Sequence, residues 1–283
     1  RLVRAPEQGG YGLDAHWADD FHHALHAFLT GERQGYYRDF GGLEDLAAAL
    51  REGYVYQGQY SAFRRRRHGR PPTGVAPHRL VVCSQNHDQV GNRAQGERLS
   101  RLLGPLPLRA AAALTLLSPF TPLLFQGEEW GAGTPFLYFT DHTDAALGQA
   151  VTEGRRREHA GLGQTAEVPD PQAEETWRRS QLRWDELKQP EHARMLEWYR
   201  SLIALRRAHL VPARDRSPSV RCDTAAGWLT LACGGLLGVF NFSDAAQSVP
   251  PPAGNWSPAL ATDGGGSADP VAAHGTRVMR GEA

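Results

Sequence analysis

The stretch Leu80-Val81-Val82-Cys83-Ser84-Gln85-Asn86-His87-Asp88-Gln89-Val90-Gly91-Asn92-Arg93 decides how this chain is read. A short apolar run gives way at once to hydrogen-bonding and ionisable side chains. A buried parallel strand has this texture when it delivers residues to a site at its C-terminal end: the apolar part packs, and the polar part has another use. Taken alone, Asn86-His87-Asp88 reads more readily as a loop that caps the next helix or bonds to nearby backbone. Joined to the apolar run before it and to Gln89-Val90-Gly91-Asn92-Arg93 after it, the trio is expected to carry chemistry.

Upstream, Gly12 to Trp17 reads as a short strand with a polar-aromatic end. Asp19 or Asp20 can N-cap a helix on which Phe21, Leu25, Phe28 and Leu29 recur at helical spacing, closed by Gly31. A second helix is predicted over Leu43 to Leu50, with Gly53 as its stop. Tyr54 to Pro77, including Arg64-Arg65-Arg66-Arg67, is expected to be a solvated basic loop. Downstream, a helix runs through Leu108 to Leu117, and Pro122-Leu123-Leu124-Phe125 is a further apolar run opening into Gln126-Gly127-Glu128-Glu129-Trp130-Gly131.

Residues 132–190 read as irregular, with short helical pieces. Glu191 to His209 is an amphipathic helix with Met195, Leu196, Tyr199, Leu202, Ile203 and Leu205 on one face. After Val211-Pro212 the texture changes. Gly227 to Cys233, the pair Gly234-Gly235 and Leu236 to Phe242 predict a β-hairpin; Pro250-Pro251-Pro252 and Gly264-Gly265-Gly266 mark loops, and a strand is expected near Val278. The expected division is therefore 1–210, α/β, and 211–283, a small antiparallel β domain of sandwich-like character.

Strand–helix alternation over the first part argues for a parallel α/β architecture. Three strand ends carry polar or aromatic clusters: His16/Trp17, Asn86/His87/Asp88 and Gln126/Glu128/Glu129. On a (β/α)8 barrel these would open onto one face, although spacing alone leaves an open doubly wound sheet in play. No Gly-rich dinucleotide or P-loop fingerprint supports that alternative. Lys+Arg and Asp+Glu balance at 31 each, so no global charge attracts nucleic acid or an anionic membrane, and no apolar run is long enough to span one. Cys83, Cys222 and Cys233 lack metal-like spacing and suit free thiols in a reducing cytoplasm. The chain opens on Arg1 rather than Met, which suggests that it starts inside a longer parent protein.

Asn86-His87-Asp88 after an apolar strand resembles the fourth sequence region of the α-amylase superfamily of glycoside hydrolases. Gly10 to His26 is similar to the sixth-strand region of the maltooligosyl trehalose trehalohydrolase family. Pro122 to His142 resembles that family's eighth-strand region, and Ser180-Gln181-Leu182-Arg183-Trp184 the segment before its last barrel helix. Glycogen branching enzymes share the layout but differ around Trp17. The resemblance implies a retaining glycoside hydrolase on a (β/α)8 barrel with a C-terminal β domain. It would cleave the α-1,4 bond next to the trehalose end of maltooligosyl trehalose, with no metal or organic cofactor in the chemistry.

In that superfamily the nucleophile Asp follows strand four and the acid/base Glu follows strand five, roughly 5–5.5 Å apart. No segment here resembles either region; what is present corresponds to strands six to eight. Three strands cannot close a barrel. The upstream part of the same protein is therefore an expected partner, and the isolated chain is expected to be inactive.

The resemblance makes Asp88 the transition-state stabiliser. A carboxylate can accept two sugar hydroxyl bonds and stabilise positive charge developing at C1. His87 would bond hydroxyls of the same sugar or merely orient Asp88. Asn86, Arg93 and Glu129 are candidate substrate contacts with structural uses equally open, and Trp17 can stack on a pyranose face or pack in the core. Asp20 is a candidate for binding the trehalose moiety, although helix capping explains it as simply; the Asp19/Asp20/His22/His23 group diverges too much to be read as a metal site. Two other functions stay in view: an α-glucan branching or debranching relative, and a non-catalytic carbohydrate-binding protein.

Overall fold

The computed structural model describes residues 1–161, 167–213, 217–262 and 270–281. Along the chain these form β1 (His16–Trp17), α1 (Asp19–Thr30), α2 (Leu43–Glu52), β2 (Gln57–Ser61), β3 (Arg66–Gly69), β4 (Leu80–Val82), α3 (His87–Gly91), α4 (Leu99–Leu102), α5 (Pro105–Leu117) and β5 (Thr121–Pro122). Then come α6 (Ala145–Gly161), α7 (Glu174–Arg179), α8 (Pro190–Leu205), β6 (Ser219–Asp223), β7 (Trp228–Cys233), β8 (Leu236–Asn241), β9 (Trp256–Ala261) and β10 (Thr276–Gly281). The chain separates into two compact units. One comprises residues 1–84, 105–123 and 197–283, the other residues 85–104 and 124–196.

The first unit holds three sheets, of which the two larger are of different kinds. Strands β1, β4 and β5 lie side by side in chain order and run parallel, with His16 opposite Leu80 and Val81 opposite Thr121. This is the arrangement of consecutive strands of a (β/α)8 barrel. They are shorter than the sequence suggests: β5 stops at Pro122, and Leu123 N–H makes the last bond, to Val82 O at 2.8 Å. Helix α1 seals Phe21, Ala24 and Leu25, and α2 seals Leu46, Ala47 and Leu50. Phe21 meets Phe120 edge-on at 6.3 Å. Gly31 and Gly53 end these two helices in the left-handed conformation, as expected.

The second sheet is antiparallel, in the order β6-β7-β8-β10-β9. Gly234 and Gly235 join β7 to β8 with φ of 57° and 81°, the pair of left-handed residues that a two-residue turn between twisted strands requires. Helix α5 is apolar on all sides and buried from Ala110 to Leu117. Arg206 donates to Leu116 O, Ser118 O and Phe120 O, the carbonyls at and beyond the helix end that lack intrahelical partners.

Three expectations are corrected. Residues 132–190 hold more than short helical pieces, since α6 runs for 17 residues. Tyr54 to Pro77 is not simply a loop: β2 and β3 pair there as an antiparallel hairpin, with Ser61 opposite Arg66. Its strands, Gln-Gly-Gln-Tyr-Ser and Arg-Arg-His-Gly, are polar on both faces and lack the alternation that marks a half-buried strand. Asp19 and Asp20 do not cap α1; Ala18 takes that position with no side-chain cap bond, and both carboxylates lie in the first turn. The Gly264-Gly265-Gly266 loop and residues 162–166 of the irregular stretch lie outside the described residues.

The second unit carries α3, α4, α6 and α7, joined by long connections. No helix among the described residues is long and apolar enough to cross a membrane. Cys83, Cys222 and Cys233 are free thiols.

Candidate functional site

Four residues after β4 ends, Asn86 starts α3. Its Oδ1 accepts from Asp88 N at 2.8 Å and Gln89 N at 3.3 Å, while Gln89 Oε1 accepts from Asn86 N at 2.8 Å. This is a reciprocal cap in which three otherwise orphaned donors are satisfied. Gln85 is buried beside it and accepts from Leu99 N at 3.0 Å. The buried amides therefore build the platform, and the next two side chains face out. His87 and Asp88 are 57% and 62% exposed, with Nε2 and Oδ1 3.4 Å apart. An outward carboxylate next to an imidazole can receive hydroxyl donors and offer one bond to a sugar oxygen. Asn86, by contrast, is almost wholly buried, and its carbonyl oxygen serves the cap.

Arg93 lies just beyond this helix, partly buried, with Nε 3.4 Å from Glu97 Oε2. Glu129 is half-buried on the single 3-10 turn Glu128–Trp130, between Gly127 and Gly131, both left-handed. At Gly127 a Cβ would come within 2.8 Å of Leu182 and 2.9 Å of Ala132, so this turn closes only around glycine.

Arg98 holds the turn from below. It is fully buried, donates from Nε to Thr134 O and from Nη1 to Gln126 O, each at 2.6 Å, and lies 4.8 Å from the Phe125 ring centre. Burial lowers its pKa to about 10, against the opposing pull of Glu128, Glu129 and Glu186. Glu186, also buried, accepts from Trp130 Nε1 at 3.4 Å, Gly133 N at 3.2 Å and Arg183 Nη2 at 2.7 Å. Burial pushes its carboxyl up, these donors outweigh it, and the net pKa is lowered.

In the first unit Trp17 is 45% exposed at the end of β1. Asp20 uses Oδ2 to accept from Val55 N and Tyr56 N, each at 2.9 Å. Burial raises its pKa, and those two bonds oppose the shift. Together with His16, Tyr54, Tyr56, His68 and Arg70 it lines a cavity of about 650 Å³. Tyr54 OH lies 3.0 Å from His16 Nε2, and burial, helped by the Asp20 and Asp19 charges, raises its pKa to about 12. Of the expected site residues, Asn86, His87, Asp88, Arg93 and Glu129 thus fall in one compact unit, Trp17 and Asp20 in the other.

A buried histidine anchors the end of the strand that leads to α3. His22 Nδ1 donates to Ser84 O at 2.8 Å, and its Nε2 accepts from Tyr37 OH at 2.8 Å. Burial, then His26 and His23, holds this imidazole well below its ordinary pKa; burial, Arg64 and His26 bring His23 to about 4. Among the described residues no group of three or more His, Cys, Asp or Glu is arranged to hold a metal ion. Sequence reading missed Arg98, Tyr54 and His68. Arg98 gives no local signal, because its acceptors lie 28 and 36 residues away in sequence.

No family model matches the chain. A malto-oligosyltrehalose trehalohydrolase from Rhizobium sp. strain M-11 is 51% identical over 257 residues, covering 89% of this chain and 43% of the relative. One from Brevibacterium helvolum is 48% identical over 274 residues, covering 95% and 46%. A crystal structure of a candidate alpha amylase from Salmonella typhimurium is 40% identical, with a TM-score of 0.84 over 94% of this chain and 46% of that one. The chain spans under half the length of the curated relatives it matches. It belongs to the malto-oligosyltrehalose trehalohydrolase family of the α-amylase superfamily and corresponds to the C-terminal portion of its members.

Proposed function

We propose that this chain is the C-terminal part of a retaining glycoside hydrolase that cleaves the α-1,4 bond next to the trehalose end of maltooligosyl trehalose. Residues 1–210 contribute strands six to eight of the (β/α)8 barrel, and residues 211–283 an appended β domain. The observation that carries this reading is the outward-facing His87–Asp88 pair on a capped helix, in a chain about half identical to curated trehalohydrolases.

The upstream part of the same protein supplies the two carboxylates that form and break covalent bonds. One attacks C1, and the other protonates the departing oxygen and then activates water. As the ring flattens, positive charge spreads over C1 and the ring oxygen. Asp88 opposes that charge and holds sugar hydroxyls, contacts that strengthen towards the transition state. His87 bonds the same sugar. Trp17 stacks on a pyranose face, while Asp20 contacts the trehalose moiety. Arg93 and Glu129 contact the glucan, while Asn86, buried and engaged in the cap, holds the helix that presents the pair. No cofactor takes part. Three free cysteines, two of them buried, suit a reducing cytoplasm.

The test is product analysis with the full-length protein. Trehalose and a maltooligosaccharide are expected from maltooligosyl trehalose, with little attack on a plain maltooligosaccharide of equal length. Equal or faster attack on the plain substrate would point instead to a branching or debranching enzyme. The isolated chain is expected to release no trehalose, and release by it would show that the carboxylates assigned to the upstream region are not needed.

A further inference from the structure

We infer that Arg155 is a positioning residue for Asp88, acting through the C-terminal end of α3. The inference rests on reading Asp88 as the transition-state stabiliser. Helix α3 has five residues, far too few to persist on its own hydrogen bonds. Its start is held by the Asn86–Gln89 cap, which lies within the same local segment. Its end is held from outside. Arg155, buried on α6, donates from Nη2 to Gly91 O at 2.9 Å and from Nη1 to Asn92 Oδ1 at 3.0 Å.

Asn92 N in turn donates to Asp88 O at 2.9 Å, so the clamp reaches the backbone of Asp88 through one residue. The guanidinium is itself fixed, 4.6 Å from the Tyr138 ring centre and 3.3 Å from Glu158 Oε2. All of these groups lie in one compact unit.

Arginine suits this place because its planar fork meets two acceptors at once, whereas a lysine ammonium meets them as a point charge. The last carbonyls of a helix have no partner within it, and Gly91 O is one of them. Without Arg155 that carbonyl is left unpaired and the last turn of α3 loosens, shifting the carboxylate one turn back. A transition-state contact tolerates little displacement; a misplacement of about 1 Å can cost about 100-fold in rate.

The test is a double-mutant cycle on the full-length protein, read as single-turnover trehalose release, with Asp88→Asn, Arg155→Met, and both. Arg155→Met is expected to lower the rate roughly 10- to 100-fold with KM nearly unchanged. Arg155→Lys should recover part of the loss. In the Asp88→Asn background, Arg155→Met should cost less than about threefold, because the group it positions is already disabled. An equal loss in both backgrounds, or no loss in either, overturns the inference. Wild-type activity in Asp88→Asn would sink the reading of Asp88 itself, a result distinguishable from both. Should Arg155→Met not fold, the Lys variant completes the cycle with the same criteria.

Discussion

In the unit that contains β4, the side chains most fully sealed from solvent are Phe21, Leu25, Leu46, Leu50, Leu114 and Phe240. In the unit that contains Asp88 the largest fully buried side chains are Trp130 and Arg98, and Glu186 and Arg155 are buried as well. The first is held mainly by apolar burial over its helices and two larger sheets, with Arg206 as its part-buried carbonyl clamp. The second combines one long helix, α6, with short helices and long connections, and two buried arginines, Arg98 and Arg155, are bonded to backbone carbonyls there, a device the first unit uses at Arg206. The difference follows from the work. A scaffold needs packing area, which is indifferent to direction. Loops that present a carboxylate need direction, which bidentate hydrogen bonds provide and apolar contacts do not.

The largest stability effect should come from the apolar unit. Phe21→Ala is expected to cost about 3–5 kcal/mol in urea unfolding, because its ring is fully enclosed and the hole cannot collapse. Arg98→Met should follow at about 1–3 kcal/mol, the cost of stranding the buried Thr134 carbonyl. It should also lower activity through the Glu129 turn. If Arg98→Met left both stability and activity intact, the contrast between the two units would fail.

Acid sharpens the comparison further, since His22 and His23 lie in the apolar unit and are neutral when folded. Their folded pKa values are depressed, so the unfolded chain takes up protons first as the pH drops below about 6.5. Stability is therefore unaffected above that pH and lost below it, on the order of 1 kcal/mol per pH unit for each histidine. For His23 the loss levels off near its folded pKa of about 4. His23→Gln should flatten unfolding profiles between those limits; an unchanged slope would show that His23 is not kept neutral. The smallest effect should come from Arg178→Met, which breaks an exposed i,i+4 pair with Glu174. Less than about 0.5 kcal/mol is expected there.

What could be read from sequence follows the same division. The strand before Asp88, helices α1, α2 and α5, and the Gly234-Gly235 hairpin all show in apolar periodicity and turn residues, signals that lie within a few residues of each other. The β2–β3 hairpin did not show, since neither strand has an apolar face. His87 and Asp88 were legible as an outward pair because they follow an apolar run. Asn86 was ambiguous because a cap and a ligand use the same amide, and in the fold it caps. Arg98 and Arg155 were illegible: arginine in a sequence reads as surface, and only the fold brings carbonyls from 28 to 64 residues away onto their guanidinium groups.

Replacing Asp88 with asparagine in the full-length protein, and timing trehalose release from maltooligosyl trehalose, probes the proposed function at its root. The side chain keeps its size and loses its charge. Since contacts of this kind contribute several kcal/mol in glycosidases, kcat should fall by about 100-fold or more with KM changed only a few-fold. A kcat within about threefold of the parent would mean that the carboxylate is not opposing charge at the breaking bond.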